Sequence, residues 1–77
     1  MKILVINPNT SASMTDHVRR TLEGVQASTT EVTVVNPVHG PVSIESAYDE
    51  AYAIPPTLEL IKRAEQDGYD AVVLACF

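Results

Sequence analysis

The chain has 77 residues, of which 45% are hydrophobic and 19% are charged. A chain of this length buries one small core, and its composition excludes disordered, collagen-like and disulfide-rich proteins. Its formal net charge is −5, whereas proteins that bind nucleic acid or anionic membrane surfaces normally carry the opposite sign.

The first predicted element is a strand over residues 2–7, whose apolar residues are consecutive rather than alternating. This pattern is typical of strands that are buried on both faces, as in parallel sheets. The apolar run Ile3–Ile6 is too short for a membrane span or for the core of a signal peptide. The single cysteine, Cys76, cannot form an internal disulfide, which fits a reducing compartment. Together with the short apolar run and the negative charge, this predicts a cytoplasmic protein with no membrane contact.

A polar loop over residues 7–11 (Asn-Pro-Asn-Thr-Ser) interrupts the strand, because proline cannot continue the ladder and asparagine favours turns. A helix is predicted from about residue 13 to residue 25, with Ser11 or Ser13 as its N-cap. The inner face is expected to comprise Met14, Val18, Leu22 and Val25, and the outer face Arg19 and Arg20.

A second strand is predicted over residues 31–36, which are rich in β-branched side chains, and a loop over residues 38–43. Residues 46–54 are predicted to form a helix that Pro55-Pro56 breaks or kinks. Residues 57–66 are then expected to form a further helix. The predicted apolar stripes consist of Ala47, Ala51 and Ile54 in the first helix, and Leu58, Ile61 and Ala64 in the second.

A third strand, again a continuous apolar run, is predicted over residues 71–75. The order βαβαβ with helical crossovers indicates parallel strands, which are joined in a right-handed sense. We predict an α/β fold with a three-stranded, flavodoxin-like sheet in the order 2-1-3. The order 1-2-3 is the alternative.

In the order 2-1-3, a crevice opens beyond the carboxyl ends of strands 1 and 3, where open α/β sheets bind ligands. Loop 7–11 and the pair Cys76-Phe77 follow these two ends. The loop also precedes a helix N-terminus, whose free N–H groups attract anions. The loop side chains available for binding are those of Asn9, Thr10 and Ser11. The same residue types turn chains and cap helices, so both interpretations remain open here.

Cys76 also has two interpretations. A free cysteine after an apolar strand usually packs as a small hydrophobe. A cysteine beside a helix N-terminus can instead form a thiolate, which is both a nucleophile and a base. His17 and His39 have no partner at a metal-ligand spacing, and the chain has no glycine-rich phosphate loop, so we predict neither a metal site nor a nucleotide site.

Four segments together resemble the hydantoin racemase family, within the aspartate/glutamate racemase superfamily. The segments are residues 1–11, 40–46, 48–50 and 68–77, and the resemblance extends over nearly the whole chain. The resemblance implies two similar α/β halves around a cleft. It also implies cofactor-free racemisation, in which two cysteines face each other across the substrate carbon.

The resemblance assigns Cys76 as the catalytic cysteine of the first half. It implies a substrate pocket lined by residues of the first loop and of a second motif, together with the end of the third strand. These residues are Asn9, Thr10, Ser11, Ser43, Glu45 and Phe77. The implied substrate is a small molecule, a 5-substituted hydantoin, with allantoin as a close alternative.

Residues 1–77 are accordingly predicted to be the N-terminal portion of one α/β racemase domain, with the remainder absent from this chain. The full-length protein is expected to be a homo-oligomer. Residues 1–77 alone are expected to be inactive, because one cysteine cannot serve both faces of a carbon. The alternatives are a cysteine-dependent decarboxylase or isomerase of the superfamily, and a non-catalytic α/β module that binds an anion.

Overall fold

The computed structural model describes residues 1–75, so the assignments to Cys76 and Phe77 lie outside the described residues. The three strands are parallel and lie in the order β2-β1-β3, which confirms the predicted α/β fold and the order 2-1-3. The elements in chain order are β1 (Lys2–Ile6), α1 (Ala12–Glu23), β2 (Glu31–Val35), α2 (Ala47–Gln66) and β3 (Ala71–Leu74).

The central strand β1 carries most of the core. Leu4 and Ile6 are buried and pack against Ala64 of α2. Val5 is also buried, and it faces the other side of the sheet because side chains alternate along a strand. This burial on both faces explains why the apolar residues of β1 are consecutive.

Helix α2 is continuous from Ala47 to Gln66 and contains Pro55 and Pro56. The predicted separation into two helices at these prolines was therefore wrong. Each proline removes one N–H group from the helical ladder, at a cost that local propensity alone would not repay. Packing of the helix against the sheet offsets this cost, since tertiary contacts supply most helical stability in proteins.

The apolar stripe predicted for the first half of α2 was also wrong, because Ala47, Ala51 and Ile54 are exposed. The buried face instead passes through Ala53 and Thr57. It continues in the second half of α2 through Leu60, Ile61 and Ala64, whereas Leu58, which was predicted on this stripe, is exposed. Because the helix is continuous, all of these residues must lie on one helical face. A break at the prolines would have allowed each half to turn its own face to the core.

Helix α1 begins after Ser11, which is its N-cap, and its buried residue is Thr15. Met14 and Val25 were predicted to face the core, but both are exposed. Arg19, predicted on the outer side, is half-buried and donates from Nη2 to the Val34 carbonyl oxygen at 2.7 Å. The inner face of α1 is thus partly polar, which its apolar periodicity could not indicate.

Strand β3 forms one edge of the sheet, and its outer side is unpaired within residues 1–75. Val73 and Leu74 are 48% and 42% exposed. Unpaired apolar edges are templates for pairing with another chain.

Neither α1 nor α2, the two helices in the described part of the chain, is long and apolar enough to cross a membrane.

We predict that a polypeptide of residues 1–77 self-associates through the edge of β3. Val73→Lys should reduce this association, because a charged lysine on an edge strand opposes pairing. Multi-angle light scattering over a concentration series measures the change. Val42→Lys is the matched control, since Val42 is 70% exposed in a loop. A monodisperse monomer at high concentration would contradict this prediction.

Candidate functional site

The candidate site lies at the carboxyl edge of the sheet, where loop 7–11 leaves β1. The Asn7 backbone N–H donates to the Val35 carbonyl at 2.9 Å, and the Ala75 N–H donates to the Ile6 carbonyl at 2.8 Å. The ends of all three strands therefore meet at the start of this loop. This is the edge at which open α/β sheets bind ligands, and Cys76 follows Ala75 in the sequence.

Asn9 organises the turn from β1 into α1. Its Oδ1 accepts from Asn7 Nδ2 at 2.8 Å and from the Ser11 backbone N–H at 2.9 Å. Ser11 Oγ in turn accepts from the Met14 N–H at 3.3 Å and so caps α1. The interpretation of Ser11 as a capping residue is thus confirmed. The Asn9 Nδ2 hydrogens have no acceptor within residues 1–75, so this amide has unused donors.

Thr10 connects the loop to the segment that follows β2. Its backbone N–H donates to the Pro41 carbonyl at 3.0 Å. This contact brings the chain that carries Ser43 and Glu45 beside loop 7–11. The side chains of Ser43 and Glu45 are exposed and make no hydrogen bond within residues 1–75. The two motifs are therefore joined through backbone, and both side chains are accessible to a ligand.

The residues just after Ser43 have a structural role. Ser46 is the N-cap of α2, and its Oγ accepts from the Asp49 N–H at 3.3 Å. Asp49 Oδ2 accepts from the Glu45 N–H at 3.1 Å. These reciprocal bonds resemble a capping box. They fix the point at which the Ser43–Glu45 segment ends and α2 begins.

Three buried or half-buried polar residues beneath the loop were not predicted, namely Asn7, Thr15 and Asn36. Asn7 Nδ2 donates to Thr15 Oγ1 at 3.2 Å, and the Thr15 hydroxyl donates to Asn36 Oδ1 at 2.7 Å. The sequence contains one signal for two of them, because β1 and β2 are each followed by Asn-Pro. Since Ile6 pairs with Val35, these asparagines are adjacent.

Tyr48 stands near this segment, with its ring centroid 4.9 Å from that of Tyr52. The neighbouring Tyr52 side chain raises the pKa of Tyr48 above its usual value of 10.0, and the Asp49 carboxylate raises it further. The phenol therefore stays protonated at neutral pH and cannot act as a base. Within residues 1–75, no three His, Asp or Glu side chains are grouped so as to hold a metal ion.

Comparison with known proteins identifies relatives over the whole chain. A family model described as Asp/Glu/Hydantoin racemase matches residues 3–77. A hydantoin racemase from Pseudomonas sp. (strain NS671) is 47% identical over 77 residues, which are 100% of this chain and 31% of that protein. A hydantoin racemase from Paenarthrobacter aurescens is 44% identical over 78 residues, covering 100% of this chain and 33% of that protein.

Two solved structures have the same fold. An allantoin racemase from Klebsiella pneumoniae has a TM-score of 0.93 and 42% identity, over 99% of this chain and 31% of that chain. An allantoin racemase from Pseudomonas fluorescens has a TM-score of 0.87 and 31% identity, over 97% and 32%. The chain thus spans about one third of the length of the relatives it matches.

Two nearby serines should differ in their effect on stability. Ser46→Ala removes the N-cap of α2 and should lower the free energy of unfolding by about 1 kcal/mol. Ser43→Ala is the matched control and should change it by less than about 0.5 kcal/mol, because the Ser43 hydroxyl is exposed like that of Ser46 but makes no hydrogen bond within residues 1–75. Urea denaturation of the full-length protein measures both. Equal losses for the two variants would contradict the structural role of Ser46.

Proposed function

Because the chain belongs to the Asp/Glu/Hydantoin racemase family, we propose that the full-length protein is a cofactor-independent racemase of 5-substituted hydantoins. The observation that carries the proposal is the unused donor of Asn9 at the carboxyl edge of the sheet. The loop that carries Asn9 leaves the sheet at the edge where β3 also ends, and Cys76 follows β3 in the sequence. A donor and a candidate base are what proton abstraction beside a carbonyl requires.

In the proposed reaction, the Cys76 thiolate removes the C5 proton of the hydantoin from one face. The electron pair of the C5–H bond moves toward the neighbouring carbonyl and gives an enolate. A thiol from the remainder of the protein then donates its proton to C5 from the opposite face and becomes the thiolate. The two cysteines exchange protonation states, and the reverse reaction restores them, so no redox partner is needed.

Loop 7–11 would stabilise the enolate. The Asn9 Nδ2 hydrogens are free to donate to its oxygen, and the N-terminus of α1 adds a favourable dipole. We assign Thr10 and Ser11 to the same wall of the pocket. Ser43 and Glu45 are proposed to contact the substrate from the neighbouring segment. Phe77 is also proposed to contact the substrate.

Allantoin is the second candidate substrate. It is itself a 5-substituted hydantoin, so the same proton transfer applies to it. The two structural relatives described above are both allantoin racemases, whereas the sequence relatives are hydantoin racemases. Comparing kcat/KM for enantiopure allantoin and for a 5-alkyl hydantoin decides between them.

The proposal also covers the partners, the location and the oligomeric state of the full-length protein. We assign a small-molecule substrate, no nucleic-acid partner and a cytoplasmic location, which suits an enzyme that needs a reduced thiol. We further propose that the full-length protein is a homo-oligomer. Exposed apolar side chains on α2, such as Ile54 and Leu58, support an additional interface.

Cys76→Ser should reduce racemisation by the full-length protein about 100- to 10,000-fold, because serine is a much weaker acid than cysteine. The measurements are the loss of optical rotation and the incorporation of solvent deuterium at C5. Ser28→Ala, an exposed residue between α1 and β2, is the control and should retain full activity. Near-normal deuterium incorporation by Cys76→Ser would remove Cys76 from the mechanism.

Asn9→Asp should lower kcat/KM about 100-fold while the protein keeps its stability. The carboxylate preserves the acceptor for Asn7 and Ser11 but replaces the free donor. Steady-state polarimetry gives the rate, and urea denaturation checks that the loop is intact. Unchanged kcat/KM in a stable variant would show that Asn9 does not stabilise the enolate.

A further inference from the structure

We propose that Asn7 and Thr15 are positioning residues that determine which end of the Asn9 amide faces the substrate. This inference rests on the proposed function, because it assigns Asn9 as the donor to the substrate oxygen. The two residues themselves would not touch the substrate. They are 1% and 3% exposed and lie beneath the loop.

The amide of Asn9 could in principle present either its oxygen or its NH2 group to the crevice. In the structure, Oδ1 faces the protein and accepts two hydrogen bonds, from Asn7 Nδ2 and from the Ser11 N–H. A half-turn of the Asn9 amide would place its NH2 group against these two donors and break both bonds. Each lost bond shifts such an equilibrium by roughly two- to tenfold.

This argument requires that Asn7 itself cannot turn, and Thr15 supplies the reason. The Thr15 hydroxyl directs its proton away from Asn7, toward Asn36 Oδ1 at 2.7 Å and the Ser11 carbonyl oxygen at 3.0 Å. Its oxygen is then left as an acceptor toward Asn7, whose Nδ2 lies 3.2 Å away. The proton direction at Thr15 therefore selects the NH2 end of Asn7.

A second observation concerns the other end of the Asn7 side chain. Its Oδ1 is buried and has no hydrogen-bond partner within the described residues. A buried acceptor without a partner is destabilising, and packing alone would favour an apolar residue. The hydrogen bonds of the Asn7 side chain within the described residues are therefore all made by its donor end, which points to Asn9, Thr15 and the Ser11 carbonyl.

The resulting series of hydrogen bonds runs from Asn36 through Thr15 and Asn7 to Asn9. Its effect is to present NH2 hydrogens, and not a carbonyl oxygen, to the crevice. The group that this surface recognises is an acceptor, namely the carbonyl oxygen that becomes the enolate. A ring N–H of the substrate would be repelled, so the series also sets the orientation in which a hydantoin binds.

Thr15→Val tests the inference, because valine has the shape of threonine but no hydroxyl. In the full-length protein, we expect kcat/KM to fall about tenfold. Thr15→Ser keeps the hydroxyl and should stay within threefold of the original protein. Urea denaturation identifies any loss of folding, and if Thr15→Val does not fold, Thr15→Ala also removes the hydroxyl and is expected to have the same sign of effect.

A double-mutant cycle separates positioning from a merely structural role. The two oxygens of Asp are equivalent, so the Asn9→Asp variant has no amide orientation to lose. In that background, we expect Thr15→Val to change kcat/KM by less than about twofold. A full tenfold loss in both backgrounds would overturn the inference, as would an unchanged kcat/KM for Thr15→Val in the original background.

A spectroscopic measurement keeps the inference testable if the protein does not racemise hydantoins. In full-length protein labelled with ¹⁵N-asparagine, the Asn7 side-chain amide should exchange with solvent more slowly than that of Asn9. Thr15→Val should accelerate exchange at Asn7, and Thr15→Ser should not. Inactivity with this exchange pattern rejects the proposed function alone. Exchange at Asn7 that is equal in all variants rejects the positioning role.

Discussion

The hydrogen-bonded pairing of β1 with both of its neighbours is the constraint on which the site depends. Because β1 is central, its carboxyl end is the place where the ends of β2 and β3 also meet. Loop 7–11 continues directly from this end, so its backbone begins in a rigid, buried position. A displacement of β1 would move the loop and the start of α1 together, which gives the loop the precision that a donor to a reacting atom requires.

The sheet and its order could be predicted because they follow from local patterns. Continuous apolar runs mark buried parallel strands, and turn residues mark the ends of β1 and β2. The continuity of α2 could not be predicted, since Pro55 and Pro56 lower local helix propensity while the compensating burial of Ala53 and Ala64 comes from the fold. Helix propensity is a local quantity, and in α2 the stabilisation from tertiary packing exceeds the loss of propensity at the two prolines.

In the candidate site, too, local patterns predicted some residues and the fold determined the others. The Asn9 loop was predictable from its position after an apolar strand, and Ser11 from its position before a helix. Thr15 was not, because a threonine within a helix gives no sign that its hydroxyl meets residues from the ends of two strands. The predicted meeting of loop 7–11 with Cys76 and Phe77 stays a prediction, since both residues lie outside the described part of the chain.

The proposed role of Asn9 also suits the proposed racemisation, which must run equally well in both directions. In a hydantoin enolate, the oxygen lies in the plane of the ring, whereas the two protons are exchanged above and below that plane. A donor that meets the oxygen in the plane stabilises the same intermediate whichever enantiomer enters. The proposed cysteines must therefore alternate between acid and base, but Asn9 keeps one role throughout. A fixed amide, held from beneath by buried hydrogen bonds, is suited to that role because it needs no reorganisation between the two directions.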